Sequence, residues 1–165
     1  AVRALEGMGL RGVGLKWPND LHAGAGKLAG ILLEMGGEPA GPCHLVVGVG
    51  VNVNMTRATA PPIDQPWTSL RELCGEPLDR SRLAGALVTE LVLALEAFAH
   101  QGLAAVLGDW ERLDLTRGRS LGVHTAAGVV EGTGRGIDES GALRVATAAG
   151  LRVFHSGEVS VRIGK

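Results

Sequence analysis

The sequence predicts an α+β fold in which a mixed sheet and its helices precede a small β-barrel. Three observations point to this class: apolar runs rich in Val, Leu and Ile before residue 55, helical periodicity after residue 79, and short alternating runs after residue 116. The length of 165 residues, 45% of them hydrophobic and 20% charged, suits one domain with a small appendage. The 26 glycines show no collagen-like period, so many turns or close backbone approaches are expected.

The N-terminal part contains three apolar segments that are expected to form strands: GVGLKWPND, KLAGILLEM and HLVVGVGVNVNM. The second and third are almost continuously apolar, which is typical of strands that are buried on both faces or central in a sheet. A proline-containing loop over residues 58–66 follows. Ser69 and Glu72 then have the spacing of a capping box, which predicts a short helix ending near Gly75.

A long helix is expected after Asp79, which can cap its first turn. Apolar residues recur there at helical spacing and predict one buried stripe: Leu83, Leu87, Val88, Leu91, Leu95 and Phe98. Gly102 ends this helix, and a shorter helix is expected over residues 104–113. The side chains that this second helix is expected to bury are Val106, Leu107 and Trp110.

After Thr116 the composition changes to short alternating runs separated by the turn sequences AAG, DESG and AAG. This pattern predicts about five antiparallel strands in a small barrel. The predicted domains are residues 1–116 and residues 117–165.

Composition argues against several classes of protein. A net charge of −1 and only 3% aromatic residues provide neither a basic groove nor stacking platforms, so nucleic acid is not an expected partner. No uninterrupted apolar run reaches about 18 residues, so no membrane span is expected. Cys43 and Cys74 form neither a CxxC motif nor a disulfide framework, and a reducing cytoplasm is the predicted location.

Three short patterns fail as nucleotide or metal motifs. The glycines of residues 7–12 fit GxGxxG, but too few residues precede them for the strand that a dinucleotide-binding turn follows. Residues 24–27 are similar to the end of a phosphate loop, but Leu28 stands where that loop requires Ser or Thr. Cys43 and His44 lack further ligands at metal spacing, so no zinc site is predicted.

Polar residues flank the three apolar segments and predict an anion site. Asn19 and Asp20 close the first segment, Lys27 opens the second after a glycine-rich turn, and Asn52 lies near the end of the third. A lysine at such a position can meet a phosphate or carboxylate as a point charge, and nearby glycines let a ligand lie against the backbone. Each residue alone also has an ordinary explanation, such as a solvated charge or a capped turn.

In this order and at these separations, KWPND, KLAGILLE and VGVGVNVN resemble the catalytic core of biotin protein ligases. The resemblance continues through Trp67 and WERL to RGIDESGAL and HSGEVSVR, and so covers essentially the whole chain. It implies a sheet domain related to class II aminoacyl-tRNA synthetases and lipoate ligases, followed by an SH3-like barrel. The implied reaction has two steps: biotin and ATP form biotinoyl-5′-AMP, and a lysine of a biotin carboxyl carrier protein then attacks the activated carbonyl.

The resemblance also implies a role for each matching residue. Lys27 contacts the biotin carboxyl and the α-phosphate and acts electrostatically, whereas Asp20 can accept the proton of the carrier lysine. The residues implied to bind biotin are Lys27, Gly30, Gly48 and Gly50, and those implied to bind ATP are Asn19, Asn52 and Trp67. Asp20 and Asn52 are the implied ligands of Mg²⁺, and Lys16 and Trp17 are implied to support the site from behind.

Some features of the family are not found in this sequence. Residues 1–15 contain neither a Ser-Thr strand that grips biotin nor a loop of the GRGRxGR type, and no DNA-binding helix-turn-helix is expected. Three hypotheses stay open: part of an active ligase, an impaired remnant that only binds carrier protein or nucleotide, or a subunit whose sheet another chain completes, a homodimer included. A lipoate ligase is the nearest other enzyme, but KWPND and the terminal barrel favour biotin.

Overall fold

The computed structural model describes residues 1–37, 43–157 and 159–164 and confirms an α+β fold with two antiparallel sheets. The helices are α1 (Val2–Gly7), α2 (Leu70–Cys74), α3 (Arg80–Gln101) and α4 (Ala104–Leu113). The first strands are β1 (Val13–Lys16), β2 (Asp20–Ala23), β3 (Gly26–Gly37) and β4 (Cys43–Val51). The later strands are β5 (Ser120–Thr125), β6 (Gly128–Ile137), β7 (Leu143–Thr147), β8 (Gly150–Phe154) and β9 (Ser160–Ile163).

Contacts along the chain separate two compact units. The N-terminal unit consists of Val2–Val13 and Asn19–Ala86. The C-terminal unit consists of Ala1, Gly14–Pro18 and Leu87–Lys165. This division does not coincide with the boundary predicted between residues 116 and 117, which stays a prediction.

In the N-terminal unit, β2, β3 and β4 are antiparallel neighbours in that order. The short helix α2 confirms the capping prediction, because Ser69 Oγ accepts a hydrogen bond from the Glu72 N–H at 3.2 Å. Gly75 ends α2 in the left-handed region, at φ 80°. The helix α1 was not predicted, since its single turn and a half is too short for a periodic signal.

The sheet carries an exposed apolar surface along β3 and β4. Their pairing runs without a break from Ala29 opposite Val51 to Gly37 opposite Cys43. Cross-strand partners share a face, so one face carries six apolar side chains, here called the apolar sheet face: Ile31, Leu33, Met35, Leu45, Val47 and Val49. The predicted burial on both faces is wrong for this part of the sheet, because Leu33, Met35, Leu45 and Val49 are exposed and Ile31 and Val47 are only half-buried.

Leu33 and Met35 are 59% and 79% exposed, and we expect the apolar sheet face to drive self-association. Replacing both residues by lysine should abolish a concentration-dependent rise in molar mass, measured by light scattering. Val88→Lys is the matched control, because Val88 is equally exposed, at 60%, but lies on α3. A wild-type chain that stays monomeric at all concentrations, or an equal effect of the control, would contradict this expectation.

The long helix α3 begins and ends as predicted. The Asp79 carboxylate accepts hydrogen bonds from the Ser81 and Arg82 N–H groups at 2.8 and 3.2 Å, and Gly102 has a φ of 59°. The predicted buried stripe is wrong, since of its six residues only Leu83 is buried, and Phe98 is 53% exposed. Helical spacing predicts which side chains share a face, but burial also requires an element that packs against that face.

The composition of α3 corrects the prediction that no segment is apolar enough to span a membrane. Over 18 residues its mean hydropathy is 1.5, so this helix is long and apolar enough, by length and composition only, to cross a membrane. Glu90 and Glu96 interrupt its apolar residues, so the sequence shows no uninterrupted run there. Soluble helices pass the same test, so the expected absence of a membrane partner stays a prediction.

In the C-terminal unit, five strands form one antiparallel sheet in the order β8-β7-β6-β5-β9. Their number and the three predicted turns are confirmed. The sheet packs around one apolar cluster, formed by Trp17, Leu121, Val123, Leu143, Val145, Phe154 and Val161. Val106, Leu107 and Trp110 of α4 are half-buried rather than buried, which corrects that prediction.

The turn after β6 is tied to Trp17. Asp138 Oδ1 accepts hydrogen bonds from the Ser140 hydroxyl at 2.7 Å and from the Ala142 N–H at 3.0 Å. The hydrogen bond from Ser140 holds the pKa of the Asp138 carboxyl below its ordinary value. The turn presents the Gly141 carbonyl, which accepts a hydrogen bond from Trp17 Nε1 at 3.0 Å.

Candidate functional site

The KWPND segment is a strand, a turn and the start of a second strand, not the single strand that was predicted. Trp17, Pro18 and Asn19 form the turn, and Asp20 begins β2. Asn19 is fixed against β3, because its Nδ2 donates to the Ile31 carbonyl at 2.7 Å and its own carbonyl accepts from the Ile31 N–H at 2.9 Å. Asn19 and Asp20 are therefore held at the same end of the β2–β3 pair.

A β-bulge orients Lys27. Asp20 lies opposite Gly30 and Leu21 opposite Ala29, but His22 lies opposite Lys27, so Leu28 is the extra residue. In an uninterrupted strand, residues 27 and 30 would point to opposite faces. The bulge instead places Lys27 on the face of Asp20 and Gly30, while the Leu28 side chain is completely buried.

Lys27 and Asp20 form a close ion pair on this face. The Nζ–Oδ1 distance is 2.6 Å, and the two side chains are 29% and 15% exposed. A Cβ added at Gly30 would lie 3.3 Å from both Asp20 Oδ1 and Lys27 Nζ, so a side chain there would crowd the pair. An ammonium has three donors, so Lys27 can hold Asp20 and still donate to an anionic ligand.

The ion pair lies in an open groove of about 510 Å³. The lining residues are Asn19, Asp20, Lys27, Gly30, Ile31, Leu32, Gly48, Val49 and Gly50. All four residues predicted to bind biotin are among them. A Cβ added at Gly48 or Gly50 would meet its nearest neighbours at ordinary contact distances of 3.6 and 3.8 Å. Packing within the sheet therefore does not require glycine at these two positions. A groove floor free of side chains does require it.

A second cavity, of about 140 Å³, lies beside this groove. The lining residues are Lys27, Leu28, Ala29, Gly30, Gly50, Asn52, Ile63, Gln65 and Trp67. It shares Lys27, Gly30 and Gly50 with the groove. Ligands bound in the two spaces would therefore meet beside Lys27, Gly30 and Gly50.

Asn52 has a structural function in addition to the predicted one. Its Nδ2 donates to the Lys27 and Thr68 carbonyls at 3.2 and 3.0 Å, and its backbone bonds Leu28 and Leu70. Both amide protons are thus used, and Oδ1 is the side-chain atom that remains for a ligand.

The predicted Mg²⁺ ligands offer few oxygen atoms. Asp20 already pairs with Lys27, and Asn52 contributes one oxygen. Within residues 1–37, 43–157 and 159–164, no cluster of three or more His, Cys, Asp or Glu side chains could hold a metal. This donor set fits an ion that takes most of its oxygen ligands from bound phosphates and water and only one or two from the protein. Mg²⁺ usually binds in this way.

Trp67 is held directly beside Lys27. The Lys27 N–H donates to the Pro66 carbonyl at 2.9 Å, and the Thr68 N–H donates to the Lys27 carbonyl at 3.0 Å. Trp67 is 7% exposed and lines the second cavity. The contact of Trp67 with Arg57, whose guanidinium carbon lies 4.0 Å from the ring centroid, was not predicted, because the sequence has no signal for a contact across a ten-residue loop.

Lys16 and Trp17 line neither cavity. Trp17 belongs to the apolar cluster of the C-terminal unit. A supporting role for these two residues stays a prediction, as do the roles of the residues that line the cavities.

Comparisons with known proteins identify the relatives of this chain. The profile of one family, the biotin protein ligase C terminal domain, matches residues 123–162. Over 161 residues the chain is 39% identical to the bifunctional ligase/repressor BirA of Escherichia coli K12. This alignment covers 98% of this chain and 50% of that protein. The chain is a homologue of biotin protein ligases. It spans about half the length of the curated relatives it matches.

Two further relatives support the homology to biotin protein ligases. The biotin–[acetyl-CoA-carboxylase] ligase of Mycobacterium tuberculosis is 39% identical over 149 residues, covering 88% of this chain and 52% of that protein. The solved biotin protein ligase of Aquifex aeolicus, in complex with biotin and ATP, superposes with a TM-score of 0.81 at 27% identity. That match covers 98% of this chain and 67% of the other. The resemblance predicted from the three motifs is confirmed.

Proposed function

We propose that this chain carries catalytic residues of a ligase that attaches biotin to a lysine of a biotin carboxyl carrier protein, through biotinoyl-5′-AMP and with ATP and Mg²⁺. The observation that carries the proposal is the Lys27–Asp20 pair, which faces a groove floored by Gly30, Gly48 and Gly50. The Aquifex homologue binds biotin and ATP, which supports the same two ligands here.

In the first step, a carboxylate oxygen of biotin forms a bond to the α-phosphorus of ATP, and pyrophosphate leaves. Both reactants are anions, so their approach needs a fixed positive charge between them. Lys27 lines both the groove and the second cavity, and its ammonium can donate to the carboxylate and to an α-phosphate oxygen together. When bound with ATP, Mg²⁺ neutralises phosphate charge.

In the second step, the amine of the carrier lysine attacks the activated carbonyl, and AMP leaves. The attacking amine must lose a proton, and a carboxylate within reach can accept it. Asp20 is our candidate for that base, because its side chain is 15% exposed and lines the groove. The glycine floor lets the aliphatic chain of biotin lie flat against β3 and β4.

A second candidate function is that of a subunit completed by further polypeptide. The apolar sheet face favours it, since exposed apolar surfaces of this kind mark sites of association. A second copy of the chain would be one such polypeptide.

We also propose a cytoplasmic location, where ATP is available, and no binding of nucleic acid by these residues.

Intact-mass analysis of a biotin carrier domain tests the proposal. The carrier is incubated with this chain, biotin, ATP and Mg²⁺, and the expected result is a mass gain of one biotinoyl group. A carrier whose acceptor lysine is replaced by arginine, and a reaction without ATP, are the controls. No gain with a chain shown to be folded by circular dichroism would contradict ligation by the chain alone and favour the second candidate.

A further inference from the structure

Arg57 is tied to the second cavity by contacts that the reaction scheme does not use. Its guanidinium carbon lies 4.0 Å from the centroid of the Trp67 ring, and its Nη2 donates to the Trp67 carbonyl at 2.8 Å. The same guanidinium pairs with Glu72, with Nε 3.1 Å from Oε1. One side chain thus contacts the ring, the backbone of the same residue and the first turn of α2.

The pairing with Glu72 argues against a phosphate-binding function for Arg57. A second contact, from Nη2 to Glu72 Oε2 at 3.4 Å, makes the pair two-pronged, so the carboxylate already offsets the arginine charge. Glu72 is itself fixed, because Ser69 Oγ accepts from its N–H and donates to the Met55 carbonyl at 2.6 Å. The arrangement directs the guanidinium to the ring.

The location of Arg57 relative to the cavity indicates what the contact does. Trp67 lines the cavity and Arg57 does not. The guanidinium occupies one face of the ring, so the opposite face and the ring edges are what a ligand can meet. Arg57 also joins the two ends of the loop that carries Ile63 and Gln65 into the same cavity. A flat ligand that enters the cavity can stack only on the ring face that Arg57 leaves uncovered.

We propose that Arg57 is a positioning residue for the base of an adenine nucleotide: it holds the Trp67 ring from behind while the base stacks on the cavity side. This inference rests on the proposed function, because it takes ATP as the ligand. The cation–π contact keeps the ring in place, and the ion pair with Glu72 keeps the guanidinium over the ring.

Calorimetric titration of the full chain with ATP, and separately with biotin, tests the inference. Arg57→Gln is expected to weaken ATP binding by about five- to tenfold, the loss of one partly exposed cation–π contact and its hydrogen bond, and to leave biotin binding unchanged. Arg57→Lys should lie between, because it keeps a cation but loses the two-pronged pair. Arg71→Gln, an exposed arginine of α2, is the matched control and should bind as the wild type.

A second readout is independent of ligand. With 5-fluorotryptophan in place of the three tryptophans, the fluorine spectrum should have three resonances, and Trp67→Phe identifies one. Arg57→Gln should shift that resonance and leave the other two in place.

The possible results separate this inference from the proposed function. A wild-type chain that does not bind ATP overturns both. ATP binding that Arg57→Gln leaves intact overturns the positioning role alone. An equal loss of ATP and biotin binding indicates general destabilisation and overturns it too, as does an Arg57→Lys chain as weak as Arg57→Gln.

Discussion

Lys27→Ala is expected to lower the rate of biotinoyl-5′-AMP formation by about a hundredfold or more, because it removes the positive charge at the junction of the groove and the second cavity. The loss is electrostatic and should affect the rate of the chemical step more than the fold, since the Lys27 side chain is 29% exposed. Mass spectrometry of the adenylate, with biotin and ATP in excess, measures the rate.

The variant also removes the Lys27–Asp20 ion pair, so folding must be verified by circular dichroism. Arg71→Ala removes the positive charge of an exposed side chain of α2 and is expected to leave the rate unchanged. Near-normal adenylate formation by folded Lys27→Ala would remove Lys27 from the mechanism.

Gly50→Val is expected to weaken biotin binding at least about tenfold, because it places a branched side chain on the floor of the groove. The strand should tolerate it. A Cβ there has only the Gly30 carbonyl within 4 Å, at 3.8 Å, and valine favours strands. Isothermal titration with biotin measures the change in affinity.

The matched control for that substitution is Gly85→Ala. Gly85 lies inside α3, and a Cβ added there meets nothing within 4 Å. The change should raise the free energy of unfolding by about 0.5–1 kcal/mol and leave biotin affinity unchanged. If Gly50→Val binds biotin as tightly as the wild type, the groove is not where biotin lies.

Local signals in the sequence predicted the ends of α2 and α3 well. The capping residues Ser69 and Asp79 and the left-handed Gly75 and Gly102 mark helix ends where they were expected. These features depend on a few neighbouring residues, which the sequence contains in full. The three turns of the C-terminal sheet were predictable for the same reason.

Burial was predicted poorly because it depends on distant elements. The stripe on α3 and the apolar runs of β3 and β4 have the periodicity of buried segments, yet Phe98 and Met35 are 53% and 79% exposed. Such a pattern shows which apolar side chains favour burial. Whether they are buried depends on another element that packs against them.

The candidate site was predictable in its members and not in its geometry. The three motifs identified Asp20, Lys27 and the groove glycines, but alternation along a strand would have placed Lys27 and Gly30 on opposite faces. Only the bulge beside Leu28 brings them together, and a bulge has no reliable sequence signal. Arg57 was missed because its partners, Trp67 and Glu72, are remote in sequence.

The two ends of β3 differ in burial, so we expect the β3–β4 pairing to open more readily at one end than at the other. Ala29, beside the ion pair, is 3% exposed, whereas Met35, near the far end, is 79% exposed. We therefore expect the amide hydrogens near Met35 to exchange faster than those beside Ala29. The pair of Gly30 and Gly50 lies next to Ala29, at the protected end, so we expect the groove floor to keep its shape while the far end of the two strands opens.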